Sequence, residues 1–193
     1  MKIAANEVSF NQSSRMVSTQ LIFDGVILQT YLNQVRLDQG QVVERELIHK
    51  KPAVAILAVT PEDKVLLVKQ YRAAIDADTY EIPAGILDKG DQDEPLEGAK
   101  RELEEETTYQ AAHWQNLGDF YASPGFLDEK LTLYYAHGLV SVENPLPQDD
   151  DEGIELFEMT RQQVQALLDQ GQIIDLKTLY ALQLWLGGGG LHA

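Results

Sequence analysis

The stretch from Glu81 to Tyr109, EIPAGILDKGDQDEPLEGAKRELEEETTY, constrains this chain more than any other, because it sets a glycine loop directly before a helix crowded with carboxylates. Leu96, Ala99 and Leu103 fall at i, i+3 and i+7, so a helix from Pro95 to about Thr107 buries one stripe, and Pro is tolerated in its first turn. Asp93 or Glu94 is expected at its start. At roughly 100° per residue, Glu102, Glu105 and Glu106 share about a third of the circumference beside that stripe. Like charges at i and i+4 cost a bare helix a few tenths of a kcal/mol, and these sit near its C-terminal end, where the macrodipole is already negative. An acidic amphipathic helix alone is ordinarily a solvated face. Here a divalent cation would offset the concentration, since Mg2+ takes oxygen ligands and is shared between one or two carboxylates and substrate phosphates. Such ions polarise a phosphoanhydride and activate water.

Around that segment the periodicity changes repeatedly. Val26 to Ile48 mixes β-branched and polar residues about a turn at Asp38-Gln39-Gly40, which predicts a hairpin in a strand-rich N-terminal unit. Ala53 to Val59 (AVAILAV) and Lys64 to Gln70 (KVLLVKQ), joined by the turn Thr60-Pro-Glu-Asp63, predict a buried hairpin at the centre of a sheet. Further strands are expected at Asn116 to Ala122, Lys130 to Val140 and Ile154 to Glu158. Ser123-Pro-Gly-Phe126 and the acidic Pro147 to Glu152 segment form loops between them. Thr160-Arg-Gln-Gln163 is a capping box for a helix that stops by Gly171, and Asp175 caps a last helix ending at the Gly187 to Gly190 run. Strands, helix, strands and helices in that order predict an α+β domain with helices packed on a mixed sheet.

Composition narrows the function. With 193 residues and 44% hydrophobic content, the chain fits one domain or one domain with an appendage. Its formal charge of -16 repels nucleic acid and anionic membranes, so a nucleotide would be held through local basic residues or bound cations. There is no cysteine, which removes disulfides, thiolate metal sites and a Cys nucleophile. No run approaches the ~18 apolar residues of a membrane helix and MKIAANEVSFNQSSRM has no apolar stretch of the kind a secretory signal carries, so a soluble cytoplasmic protein is expected. His49, His113, His137 and His192 show no metal-ligand spacing and are expected at the surface. No Gly-x-Ser-x-Gly supports a serine hydrolase.

Residues 81 to 109 resemble the Nudix family, whose box runs glycine, five residues, Glu, seven residues, then Arg-Glu-aliphatic-any-Glu-Glu-any-Gly-aliphatic. Arg101-Glu102-Leu103-Glu104-Glu105-Glu106-Thr107-Thr108-Tyr109 matches the second half, and Gly85 opens the box. Nine residues separate Asp91 from Arg101 where the pattern has seven, which reads as a two-residue insertion; either Asp91 or Asp93 then takes the place of the first Glu. Thr108 replaces the terminal Gly. A β-branched residue is strained in a left-handed cap, so the helix is expected to leave by another backbone route. Gln70-Tyr71-Arg72 and Glu81-Ile82-Pro83-Ala84-Gly85 are similar to the ADP-ribose pyrophosphatase branch.

That resemblance, covering roughly residues 45 to 185, implies an α/β/α sandwich with a mixed sheet over residues 46–193. The β-rich unit of residues 1–45 would precede it and help to form a homodimer. It implies that the carbonyl of Ala84 with Glu102, Glu105 and Glu106 holds Mg2+, or Mn2+ in its place, and that Arg101, which orients the carboxylates, and Glu105 are among the catalytic residues. Arg72 and Glu81 would lie at the substrate, with Arg72 meeting phosphate, or Arg72 would simply pair with Glu81 to hold the loop. Ser123, Gly125 and Phe126 lie in the segment that resembles the substrate loop. Glu152, with Asp151 as second choice, resembles the general base, and Tyr31 or Phe23 would serve the adenine. The implied reaction is hydrolysis of a nucleoside diphosphate sugar, with ADP-ribose going to AMP and ribose 5-phosphate. The alternatives are another such sugar, for example GDP-mannose, or a non-catalytic regulator on the same fold.

Overall fold

The computed structural model describes residues 4–88, 90–91, 94–148, 153–188 and 191. They fold as two compact units, one comprising Met1–Pro52 with Tyr121–Leu131 and the other Ala53–Phe120 with Thr132–Ala193.

In the first unit, a short 3-10 turn (Ser9–Gln12) precedes β1 (Met16–Asp24), β2 (Leu28–Arg36) and β3 (Val42–Lys50), which form an antiparallel sheet in that order. The β2–β3 hairpin turns where Asp38-Gln39-Gly40 predicts it, with Leu37 N–H bonded to Gln41 O at 2.8 Å. Period-two alternation buries Gln29, Tyr31 and Asn33 on one face of β2. Tyr31 is fully enclosed, its ring edge-on to Phe10 and its hydroxyl bonded to Gln29 Oε1 at 3.0 Å, so Phe23 is the exposed one of the two aromatics. The segment bearing Ser123-Pro-Gly-Phe126 is stitched to β3. Ile48 N–H donates to Phe126 O at 2.7 Å and Asp128 N–H to Ile48 O at 3.1 Å. His49 Nδ1 lies 2.7 Å from Asp128 Oδ2, which makes it a half-buried partner and not the surface histidine expected.

The second unit is built on β4 (Ala53–Val59), β5 (Lys64–Arg72), β6 (Ala77–Glu81), β7 (Ala84–Ile86), β8 (Tyr109–Tyr121), β9 (Lys130–Ser141) and β10 (Glu155–Thr160). With them are the helices α1 (Pro95–Thr107), α2 (Arg161–Asp169) and α3 (Leu176–Gly187). The sheet runs β10-β5-β4-β9-β8, with β6 paired to β5 and β7 to β4. Every residue of β4 is buried, as a strand covered on both faces must be. Val54, Ile56 and Ala58 join Ala99 and Leu103 of α1 in one apolar cluster, while the alternate residues point to the opposite face, where α3 packs on β4. The α+β sandwich with a mixed sheet is thus borne out. Thr160 caps α2 through the predicted capping box with Gln163, and the Asp175 carboxylate caps α3 by accepting Thr178 N–H at 3.0 Å.

The end of α1 corrects an expectation. Thr108 does adopt the left-handed conformation, with φ 63° and ψ 18°, and its N–H bonds to Glu104 O at 2.9 Å. Its neighbour makes this tolerable: Thr107 Oγ1 donates to Leu103 O and accepts Tyr109 N–H, so the last carbonyls and the departing strand are tied by side-chain hydrogen bonds. The exit demanded by the β8 connection outweighs the local cost of a β-branched residue there.

Candidate active site

The site assembles where β7 runs into the loop before α1. Ala84 and Gly85 are pinned to the centre of the sheet by pairing with Ala55 and Val54, and Pro83 O accepts Ile56 N–H at 2.8 Å. Ala84 N–H in turn donates to Glu106 Oε2 at 3.1 Å. A Cβ on Gly85 would stand 2.0 Å from the carboxyl carbon of Glu102, so only glycine lets the backbone meet that carboxylate. Gly98, in the first turn of α1, is packed as closely: a Cβ there would fall 2.2 Å from Leu87 Cδ2 and 3.1 Å from Asp91 Oδ2, so the Leu87 side chain would have to move to admit one.

Arg101 organises the acidic groups. Its Nη1 lies 2.7 Å from both Glu102 Oε1 and Glu105 Oε2, and its Nε and Nη2 donate to Asp91 Oδ2 at 3.2 and 2.8 Å. Burial opposes the guanidinium charge, but the bonds to Asp91 and the charges of Glu102 and Glu105 outweigh it and raise its pKa further. Of the two aspartates considered for the box, Asp91 is the one seen against Arg101; Asp93 lies outside the described residues. Asp91 Oδ1 is buried without a hydrogen-bond partner among the described residues. Three carboxylates around one guanidinium leave a local excess of negative charge, and Glu106 adds a fourth, almost fully buried carboxylate on the same helix.

Whether a divalent cation suits these groups rests on their chemistry and spacing. The donors are hard oxygens, as a small oxygen-seeking ion requires, and Gly85 brings backbone against one of them. Among the described residues no three such side chains already converge as a closed metal cage, since Glu102 and Glu105 are turned to Arg101. The residues fit a cation held jointly by protein and substrate.

A second ionic cluster adjoins the loop. Arg72, at the end of β5, meets Glu81 with two parallel bonds of 2.7 Å, the pairing that the sequence offers as one of two roles for this arginine. Lys177 of α3 also donates to Glu81, and Thr79 Oγ1 bonds its Oε1 at 2.5 Å. Burial pushes the Glu81 carboxyl up, but Arg72 and Lys177 together bring it down to about 2. Sequence reasoning missed Lys177. It lies 96 residues from Glu81, and the only local signal is the cap at Asp175, which announces a helix and nothing about what its first turn touches.

Ala84, Gly85, Asp91, Arg101, Glu102, Glu105 and Glu106 are therefore brought together, with Arg72 and Glu81 in the same unit. Ser123, Gly125 and Phe126 belong to the first unit, where Phe126 is exposed and Gly125 has open space about its Cα. Glu152 and Asp151 lie outside the described residues, as does His192. Of the remaining histidines, His137 stacks between His113 and Tyr135 at 4.8 and 5.1 Å, its pKa lowered by burial and by His113. No helix among the described residues is long and apolar enough to cross a membrane.

Comparison with known proteins agrees with this arrangement. The chain is 39% identical over 169 residues to the ADP-ribose pyrophosphatase of Bacillus subtilis (strain 168), which covers 88% of this chain and 90% of that protein. It is also 39% identical, with the same coverage, to the methanol dehydrogenase activator of Bacillus methanolicus. A crystal structure of an ADP compounds hydrolase superposes with a TM-score of 0.73 at 20% identity, covering 91% of this chain and 95% of that one, and so shares the fold. The NUDIX domain description matches residues 49–182, which include both ionic clusters and the whole glycine loop with its acidic helix. On the strength of that match the chain belongs to the NUDIX domain family.

Proposed function

We propose that this protein hydrolyses the diphosphate of ADP-ribose, giving AMP and ribose 5-phosphate, with Mg2+ (or Mn2+) as cofactor. The observation that carries this reading is the gathering of Asp91, Glu102 and Glu105 on Arg101 against the Ala84-Gly85 backbone, with Arg72 in the same unit. The 39% identity to a Bacillus subtilis ADP-ribose pyrophosphatase favours that substrate over GDP-mannose. The Ala84 carbonyl and Glu102, Glu105 and Glu106 would hold the cation. When bound, it would neutralise the diphosphate and make water more acidic. Arg101 fixes the carboxylates, and Arg72, backed by Glu81, contacts a phosphate oxygen. Glu152 accepts the proton of the attacking water, and the displaced oxygen leaves as a phosphate monoester. Ser123, Gly125 and Phe126 contribute to the substrate loop. Residues 46–193 carry the hydrolase, and residues 1–45 join two copies into a homodimer in the cytoplasm.

Product release measured with ADP-ribose, GDP-mannose, NADH, diadenosine polyphosphates and nucleoside triphosphates, with and without Mg2+, tests the reading. AMP released preferentially from ADP-ribose upholds it. Preference for GDP-mannose would keep the chemistry and replace the substrate. Glu152→Gln lowers kcat with little change in metal affinity, whereas an equal loss of metal binding would recast Glu152 as a ligand. A second reading, regulation of another enzyme, is favoured by the equal identity to the Bacillus methanolicus activator. It predicts an effect on a partner enzyme that survives Glu106→Gln.

A further inference from the structure

The Glu81 carboxylate is almost wholly enclosed, 3% exposed, and is approached by cations from two elements. Arg72 takes both its oxygens from the end of β5, and Lys177 takes Oε2 from the first turn of α3. The same turn holds the backbone that follows. Asp175 accepts Lys177 Nζ at 3.0 Å and both the N–H and the hydroxyl of Thr178, at 3.0 and 2.6 Å. Thr178 Oγ1 accepts Ile82 N–H at 2.9 Å, two residues before Ala84. One turn of α3 thereby fixes a carboxylate at one end of Glu81-Ile82-Pro83-Ala84 and the main chain in its middle. Nothing in the glycine loop or the acidic helix assigns α3 such a role.

We infer that Lys177 is a positioning residue for diphosphate binding, sharing Glu81 so that Arg72 stays oriented and keeps its charge available to a phosphate. The inference rests on the reading that a diphosphate binds beside Arg72. Arg72 is the more open member of the pair, 43% exposed, so its outer side is what a diphosphate from solvent meets. Its partner Glu81 would by itself cancel that charge. Arg72, Glu81, Lys177 and Asp175 sum to zero, with the positive end of α3 added. Without Lys177 the sum is one unit more negative, in a region where Arg72 already feels the charges of Asp175 and Glu106. A bidentate carboxylate freed of its second cation also binds its one remaining guanidinium more tightly, and a diphosphate must compete for it.

The test compares wild type with K177M, K177Q, which keeps an N–H donor without the charge, and K177R. We expect K177M and K177Q to raise KM for ADP-ribose about tenfold with kcat within about twofold, and K177R to recover most of the loss. In the double variant E81Q/K177M the two effects are expected to be less than additive, because one residue acts through the other. A separate readout is calorimetric affinity for ADP in Mg2+, which needs no turnover and is expected to weaken about tenfold in K177M and K177Q. If wild type leaves ADP-ribose intact, the proposed substrate fails while the ADP arm still judges Lys177. Equal ADP affinity in wild type and K177Q, or a loss confined to kcat, overturns the inference. Should K177M fail to fold, K177Q and K177R decide it.

Discussion

Arg101 and Glu81 are each a largely enclosed charge of one sign among several of the other, Glu81 at the start of the loop-and-helix segment and Arg101 midway along its helix. Around Arg101 three carboxylates converge from α1 and the loop before it. Around Glu81 two cations converge from β5 and α3. The first cluster carries surplus negative charge and the second offers a half-exposed guanidinium. A metal-bound diphosphate needs both: hard anionic oxygens for the cation and a fixed cation for the phosphate. Under the proposed function, this contrast is what lets a chain with a formal charge of -16 hold an anion, at a few enclosed groups.

The largest effect that would break this division is expected from Glu106→Gln. If the acidic cluster is the metal side, Mg2+-dependent turnover falls by roughly a hundredfold or more, since even outer partners of metal ligands cost 10- to 100-fold. The circular dichroism spectrum should stay native, and retention of normal activity would remove the metal assignment. Next, Arg101→Met strands Asp91, Glu102 and Glu105 together. Breaking a buried ion pair from one side costs about 3–5 kcal/mol, so urea unfolding should show a loss of that order, some of it restored by added Mg2+. A loss below about 1 kcal/mol would mean that the carboxylates do not depend on the guanidinium.

The cluster around Glu81 sharpens the comparison through pH. Its pKa is held at about 2 against an ordinary 4.5, so the ionised form is favoured in the folded chain. The stability this contributes, about 3 kcal/mol, is fully present above pH 4.5 and is lost as pH falls from there towards 2. Urea midpoints measured across that window should drop less steeply in E81Q than in wild type. Parallel curves would show that Glu81 is not held by its two cations. The smallest effect belongs to Thr108→Gly, outside both clusters. Relief of a left-handed β-branched residue, less the entropy of glycine, is expected to add about 0.5–1 kcal/mol to stability with no change in activity.

Legibility followed the range of the interactions. The capping box at Thr160, the hairpin turn at Asp38-Gln39-Gly40 and the stripe of Leu96, Ala99 and Leu103 depend on neighbours within a turn or two, and each appears where its residues predict it. Strand β1 is harder to read: Met16–Asp24 carries exposed apolar and polar residues without clean alternation, so no periodic signal marks it. The exit of α1 through Thr108 goes against local preference because the connection to β8 decides it.

By itself the sequence determined the acidic helix, the glycine loop before it and the register of Arg101 with Glu102 and Glu105, because helical spacing is a property of the chain alone. The tertiary structure decided that Asp91 is the loop carboxylate seen on Arg101 and that Arg72 is paired with Glu81. It also decided that a lysine 96 residues beyond Glu81 shares that carboxylate. Those choices are made by how α3 and the loop pack on the sheet, and burial then selects which charges can share an enclosed space, a matter on which sequence separation is silent.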